Sequence, residues 1–211
     1  MIMIKKPISR LNRYTTLPVL LDMLKRRRLV FLEPDSWEDK NDSAIMAEYR
    51  RRKRVKRLFA LCFSYGDETV HQWKAFADGT SGCCIEFDMN RMRAMLQSHP
   101  DIRHGPVVYR RIRDVDDQSI KTKDIPFTKR WPYRCEEEYR LIWEGDSDEA
   151  FHEIELDLRM IRKITISQRM PKQVYETIKE YLKEAFADPD KRINRSTLYE
   201  NKIWIRKFQR A

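Results

Sequence analysis

The chain has 211 residues, of which 41% are hydrophobic and 11% aromatic. Its 43 lysines and arginines against 33 acidic residues give a formal net charge of +10. An aromatic content this high excludes an intrinsically disordered chain, and no apolar run is long enough to span a membrane. The five glycines form no Gly-rich loop, so the sequence lacks the common nucleotide-binding fingerprints.

In chain order, segments with helical or alternating apolar spacing are separated by polar stretches. One helix is predicted to begin after a cap at Thr15 or Thr16. Four more helices are predicted over Ser43–Arg57, Thr69–Ala77, the segment from Asp88 to Ser98, and Pro171–Phe186. Strands are predicted at Leu29–Leu32, Leu58–Ser64, Gly82–Phe87, Val107–Arg110, Glu137–Glu144, Phe151–Asp157, Ile161–Ser167 and Lys202–Phe208. Asp114–Arg130 is predicted to be mostly loop. This pattern indicates an α+β fold, with a single domain over residues 1–211 and a largely antiparallel sheet.

The spacing of the cysteines and histidines matches neither a metal-binding motif nor a disulfide framework. The cysteines are Cys62, Cys83, Cys84 and Cys135. The first residues include no apolar stretch long enough for a signal peptide. We therefore expect a cytoplasmic protein with reduced thiols, without a metal and without membrane attachment.

A strongly basic run holds seven positive charges in eight positions, and no acidic residue within it offsets them. The charges belong to Arg50, Arg51, Arg52, Lys53, Arg54, Lys56 and Arg57. Like charges at this spacing repel one another on a helix. The run is therefore either a solvated helix face or a contact surface for a polyanion such as nucleic acid. A second, weaker basic set is formed by Arg110, Arg111 and Arg113.

Three adjacent carboxylates begin a predicted strand. Alternation along the strand places Glu136, Glu138 and Arg140 on one face and Glu137 on the other, although a shift of one position would reverse the faces. One carboxylate of such a face can polarise a nucleophile or hold a ribose hydroxyl, while the arginine orients it. A structural ladder of ion pairs at a strand end explains the same residues without chemistry.

The aromatic segment around Trp73 has two interpretations as well. Trp73, Phe76 and Ala77 share a helical face, which is typical of core packing. A planar ligand could stack on the same face instead.

Three blocks of the sequence resemble the bacterial domain-of-unknown-function family 2971. The first block runs from Arg13-Tyr14-Thr15 to Pro34…Trp37…Asn41-Asp42, of which Pro34 to Asp42 is predicted to be a polar turn. The second block includes Leu61-Cys62-Phe63-Ser64 and Trp73-x-x-Phe76-Ala77, and the third is Glu136-x-Glu138-Tyr139-Arg140. The resemblance spans nearly the whole chain, but it implies no activity. Phe76 replaces the usual tyrosine of the family.

The order of the blocks also resembles the layout of ADP-ribosyltransferases, including toxins and phage-defence effectors. The resemblance implies NAD as co-substrate, held by Arg13 with Tyr14 and Thr15 beside it, and Trp73 or Tyr14 stacked on the nicotinamide. It implies that Glu138 is catalytic and Glu136 assists the acceptor. The acceptor stays open between RNA, DNA and protein.

Two other functions fit the sequence. One is a non-catalytic nucleic-acid-binding or regulatory module that uses the basic run. The other is a metal-dependent nuclease, which requires clustered acidic residues. An antitoxin or regulatory protein is a further candidate partner.

Overall fold

The computed structural model describes residues 7–115 and 120–209. Its strands are β1 (Arg10–Thr16), β2 (Arg28–Phe31), β3 (Arg57–Ser64), β4 (Gly82–Asp88), β5 (Ile102–Pro106), β6 (Val108–Arg110), β7 (Thr128–Arg130), β8 (Glu138–Gly145), β9 (His152–Glu155), β10 (Ile161–Ile166) and β11 (Arg192–Arg195). Its α-helices are α1 (Leu17–Arg26), α2 (Lys40–Lys53), α3 (Val70–Phe76), α4 (Met89–Gln97), α5 (Lys172–Phe186) and α6 (Lys202–Phe208). No helix in these ranges is long and apolar enough to cross a membrane.

Seven strands form the main sheet, in the order β11-β10-β4-β1-β3-β8-β5. All neighbours in it are antiparallel except β10 and β11, which are parallel. Two small sheets pair β2 with β9 and β6 with β7. The fold is therefore α+β with a largely antiparallel sheet and flanking helices, as the sequence predicts.

The hydrophobic core follows from the apolar periodicity of the helices and strands. Leu20 and Leu24 of α1 are buried in the same cluster as Met92 of α4 and Leu182 of α5. The adjacent cysteines of β4 point to opposite sides of the sheet: Cys83 belongs to this cluster, whereas Cys84 packs with Tyr14 and Trp73. All four cysteines are free thiols.

Most predicted elements are present, with boundaries moved by a few residues. Helix α2 begins at Lys40 rather than at Ser43, because the Asp39 side chain accepts a hydrogen bond from the Asn41 amide and caps the helix. The predicted strand Lys202–Phe208 is wrong, since these residues form α6, which Asn201 caps. Strands β1, β5, β7 and β11 were not predicted, and β7 lies in the predicted loop. Part of the predicted loop, 116–119, lies outside the described residues.

The sheet opens between β1 and β3, and this opening positions the site. The two strands are paired only at Asn12 and Ser64, whereas β1 is paired with β4 along its whole length. Beyond Asn12, a side chain bridges the two strands in place of backbone hydrogen bonds: Arg13 donates from Nη1 to the Cys62 carbonyl oxygen at 2.9 Å. A strand gap lined by side chains is a natural place for a ligand, because strand hydrogen bonds do not fill it.

Candidate active site

A cavity of about 710 Å³ lies at this opening. It is bounded by β1, β3, the start of α2, α3 and the segment that leads into β8. Its walls carry aromatic and titratable side chains, among them Arg13, Tyr14, Trp37, Glu38, Asp39, Asp42, Cys62, His71, Phe76, Lys129, Tyr133, Glu136 and Glu138. The volume is in the range of pockets that hold cofactor-sized ligands.

Arg13 is the basic residue of the cavity wall that β1 supplies. Its Nε is buried without a hydrogen-bond partner within the described chain, and its one hydrogen bond there goes to a neutral carbonyl oxygen. Burial lowers the pKa of Arg13, partly offset by the nearby Cys62 thiol. Such a cation has donors left for an anionic group of a ligand.

Glu138 begins β8 and is held by a two-point ion pair. Arg140 donates from Nε to Oε1 at 2.5 Å and from Nη2 to Oε2 at 2.9 Å. Arg140 is completely buried, and Asp42 of α2 holds it from the other side, with Nη1 and Oδ1 at 3.0 Å. The ring of Trp37 lies 4.9 Å from its guanidinium carbon. The orientation of Glu138 is thus fixed by Arg140 of the same strand, which Asp42 of α2 in turn holds in place.

Lys129 of β7 joins the remaining carboxylates. Its Nζ lies 2.6 Å from Glu136 Oε2, 3.3 Å from Glu138 Oε2 and 3.4 Å from Asp42 Oδ2. The three carboxylates therefore converge on an ammonium group rather than on an open position. No group of three or more metal-ligating side chains suited to a metal ion occurs in the described part of the chain.

The two glutamates of the cavity differ in their pKa values. Burial raises the pKa of Glu136 to about 7, although Lys129 opposes this. Burial would also raise the pKa of Glu138, but the charge and hydrogen bonds of Arg140, followed by the charge of Lys129, lower it to about 2. Lys129 itself is held cationic, since Glu138, Glu136 and Asp42 outweigh its burial and raise its pKa.

Cys62 lines the cavity next to Glu138, but it is a poor nucleophile. Burial, with the Glu138 charge as the next cause, raises the pKa of its thiol well above the usual value. A thiol is reactive as the thiolate. The Cys62 side chain therefore serves as a neutral wall of the site.

The structure brings together Arg13, Tyr14, Glu136 and Glu138 on the cavity wall. Arg140 reaches only the ion cluster behind this wall, so it is a positioning residue rather than a catalytic one. The expectation that Trp73 stacks on a ligand has to be corrected. Trp73 is only 3% exposed, packs edge-on against Tyr14 and donates its indole N–H to Glu68.

Two neighbours of these residues also differ from expectation. Thr15 is buried and paired with Cys83 in the sheet, and it does not line the cavity. Phe76, 47% exposed, lines the cavity in place of Trp73. The predicted face is therefore divided: Trp73 and Ala77 are buried in the core, and Phe76 borders the cavity.

The basic run lies at the opposite end of the strands from the cavity. Strand β3 starts at Arg57, beside Gly145 of β8, and ends at Ser64, beside Glu138. Ion pairs to acidic residues outside the run relieve its repulsion. Arg50 pairs with Asp35, Arg51 and Arg52 with Glu48, Lys53 with Glu144, Lys56 with Asp148 and Arg57 with Glu33, all within 4.0 Å. For Arg54, the described residues provide no such pair. Six of the seven charges thus find partners without a polyanion, and the role of the run in binding nucleic acid stays a prediction.

Sequence reasoning missed three contributors to the site. The local pattern indicates a turn at Asp42 and a loop at Lys129, and it assigns no role to Trp37. The available signal was Asn41-Asp42 after Trp37, which belongs to the first block of the family resemblance. Lys129 had no signal in the sequence, since its role arises only when β7 brings it to β8.

No protein-family model matches the chain and no curated protein matches it, so the resemblance to family 2971 stays a prediction. Among solved structures, three of the DarT protein of Thermus sp. 2.9 resemble the fold at 9% sequence identity and cover 90% of this chain. They are complexes with ADP-ribosylated ssDNA, with NAD+ and with carba-NAD+. They have TM-scores of 0.46, 0.46 and 0.45 and are covered over 94%, 96% and 97% of their length. At TM-scores below 0.5, this likeness does not bear on the activity of the present chain.

Proposed function

We propose that this chain is an ADP-ribosyltransferase-like enzyme that takes NAD as co-substrate. The observation that carries the proposal is the joint placement of Arg13, Tyr14 and Glu138 on the wall of one cavity. Glu138 is far from Arg13 and Tyr14 in the sequence, and the proposed layout requires the three to meet. A role as a toxin or phage-defence effector, with a regulatory partner, stays a prediction.

The residues of the cavity fit the parts of NAD. Arg13, whose described hydrogen bond goes only to a carbonyl oxygen, offers its guanidinium to the diphosphate. Tyr14, Trp37, Phe76 and Tyr133 offer rings against which the planar bases can stack.

Glu138 supplies the negative charge that the reaction needs. The bond between the nicotinamide nitrogen and ribose C1′ breaks, and nicotinamide leaves with the electron pair. The ribose then carries positive charge, which an ionised carboxylate stabilises. The low pKa of Glu138 keeps it ionised at every ordinary pH.

Glu136 is suited to the second half of the reaction. The acceptor nucleophile forms a bond to C1′ and loses a proton, and a carboxylate with a pKa of about 7 can take that proton near neutral pH. A metal-dependent nuclease is a weaker candidate, because Lys129 Nζ occupies the position between the three carboxylates where a metal ion would bind.

The test is release of nicotinamide from NAD by the purified chain. We expect Glu138→Gln to lower the rate by about 100-fold or more, since a preorganised charge beside the developing cation is removed. Glu137→Gln is the matched control: this carboxylate is adjacent in sequence, but its side chain lies beside Gly66 and not on the cavity wall. Melting curves of both variants report whether the fold is retained.

Retained activity in Glu138→Gln, or an equal loss in Glu137→Gln, would overturn the assignment. Because Glu138 is part of a buried ion cluster, Arg13→Gln is a second variant that leaves this cluster intact. We expect it to raise KM for NAD, and an unchanged KM would exclude the proposed diphosphate contact.

A further inference from the structure

A short 3-10 helix, Trp131–Glu136, leads from β7 into the site and has two different faces. Side chains three positions apart are eclipsed in such a helix. Tyr133 and Glu136 share one face, and both line the cavity. Trp131 and Arg134 share another face, and both are exposed. One turn of backbone therefore joins the cavity to a surface outside it.

The outer face combines an indole ring with guanidinium groups. Trp131 is 38% exposed, and the guanidinium carbons of Arg111 and Arg134 lie 5.0 Å and 4.9 Å from its ring centroid. Further basic side chains follow in the small parallel sheet, where Arg110 of β6 is paired with Arg130 of β7. We name Arg110, Arg111, Arg130, Trp131 and Arg134 the arginine–tryptophan patch.

The charge of the cavity is opposite to that of the patch. Five carboxylates and two cationic side chains are among the residues that line the cavity. Inside the cavity, the proposed function assigns Arg13 to the diphosphate of NAD, and Lys129 is already paired with three carboxylates. The phosphates of a strand are therefore favoured at the patch, whereas a neutral planar base can enter between the aromatic walls of the cavity. Interleaved arginine and aromatic side chains are the elements that bind the backbone and stack the bases of single strands.

We propose that the arginine–tryptophan patch binds single-stranded nucleic acid and presents one nucleotide to the cavity. The binding step is independent of the proposed transferase activity, whereas the role of the bound nucleotide as acceptor rests on it. Single strands are favoured over duplexes, because the bases of a duplex are stacked on each other and cannot reach Trp131 or the cavity without being extruded.

The arginine–tryptophan patch, and not the basic run, is the basic surface that lies next to the cavity. Trp131 and Arg134 are two residues away from the lining residues Tyr133 and Glu136. The start of β3, where the basic run ends, lies about 23 Å from the cavity end of the same strand.

The experiment is binding of 12-nucleotide single-stranded DNA and RNA, each without NAD, followed by fluorescence anisotropy and by tryptophan quenching. We expect binding that weakens as salt increases. Trp131→Ala should weaken it by about fivefold or more, because the stacked base loses its partner ring. The logarithm of the binding constant should fall linearly with the logarithm of the salt concentration. Arg134→Gln should make this slope shallower by about 0.7 for each phosphate that is no longer neutralised. The double variant Arg51→Gln with Arg52→Gln is the matched control on the basic run and should bind normally.

Every outcome decides the proposal. Absence of binding to both oligonucleotides overturns it, as does tighter binding to polyglutamate of equal charge, which would identify an acidic protein partner. Loss of binding in the Arg51/Arg52 variant with normal binding in Trp131→Ala would move the surface to the basic run. Oligonucleotide binding that depends on Trp131 and Arg134, in a chain that releases no nicotinamide from NAD, would support the binding surface and exclude the proposed transferase function. The DNA and RNA arms separate the two possible sources of the strand.

Discussion

Glu136 and Glu138 stand two positions apart and share the ammonium of Lys129, but their surroundings give them different protonation. Arg140 makes a two-point contact with Glu138 and keeps it ionised. Among the residues that the structure describes, no arginine makes such a contact with Glu136, so its burial dominates and its pKa rises to about 7. Two carboxylates with pKa values pushed apart are a common basis for dividing catalytic roles.

The pH dependence of transfer tests this division. If ionised Glu136 accepts the proton of the acceptor, the rate of transfer should rise with pH through about 7. Glu136→Gln should lower this rate and remove the rise, while nicotinamide release to water should change less. The measurement is the rate of ADP-ribose transfer between pH 5 and 9 for the original chain and the variant. A variant that keeps the same rise with pH would show that another group is responsible.

At the scale of elements, the sequence predicts segments whose signals are local. Helix α4 follows its cap, Asp88, which accepts from the amides of Asn90 and Arg91. Helix α6 was predicted as a strand. Its apolar run Ile203-Trp204-Ile205 is short enough for a strand, but in the structure these residues form an exposed helix that has no buried face.

The candidate site shows the same limit. Glu136 and Glu138 could be identified because they belong to one acidic run before a strand, although only Glu138 is part of β8 and Glu136 ends the preceding 3-10 helix. Asp42 and Lys129 could not, since they come from α2 and β7, and their contact with Glu138 depends on how these elements are arranged in space. The gap between β1 and β3 depends on pairing, which no local pattern specifies.

The junction of α3 and β4 yields a prediction about stability. A Cβ at Gly82 would lie 1.8 Å from the Ala77 carbonyl oxygen, a backbone atom that cannot move without shifting the end of α3. Gly82→Ala should destabilise the chain by about 1–3 kcal/mol or more through overpacking. Gly105→Ala is the control, because its nearest contact would be an ordinary 3.8 Å from the Phe127 ring. The measurement is urea unfolding, and equal stability of the two variants would refute the steric argument.

Over the whole molecule, the net charge of +10 is unevenly compensated. At the end of β3 that begins with Arg57, cations of the basic run are matched by surface carboxylates, and such exposed pairs contribute little to stability. At the other end, a buried cluster joins Lys129 and Arg140 to Asp42, Glu136 and Glu138. Removing one partner from this cluster leaves a buried charge unpaired, so its effect on stability should be much larger.

Titration of this cluster predicts two opposite trends in thermal stability. The pKa of Glu138 is depressed to about 2, so its contribution is present above the unfolded value and is lost as the pH falls through about 2. The pKa of Glu136 is raised to about 7, so its contribution is present below the unfolded value and is lost as the pH rises through about 7.

Melting temperatures from pH 2 to 9 should therefore separate the two glutamates. Relative to the original chain, Glu136→Gln should gain stability as the pH rises from about 5 to 8, since it no longer has to ionise in a buried site. Glu138→Gln should be less stable at neutral pH, and its deficit should shrink as the pH falls toward 2. Exchanged trends would mean that Arg140 and Lys129 stabilise the opposite carboxylate, and the catalytic roles assigned to Glu136 and Glu138 would have to be exchanged as well.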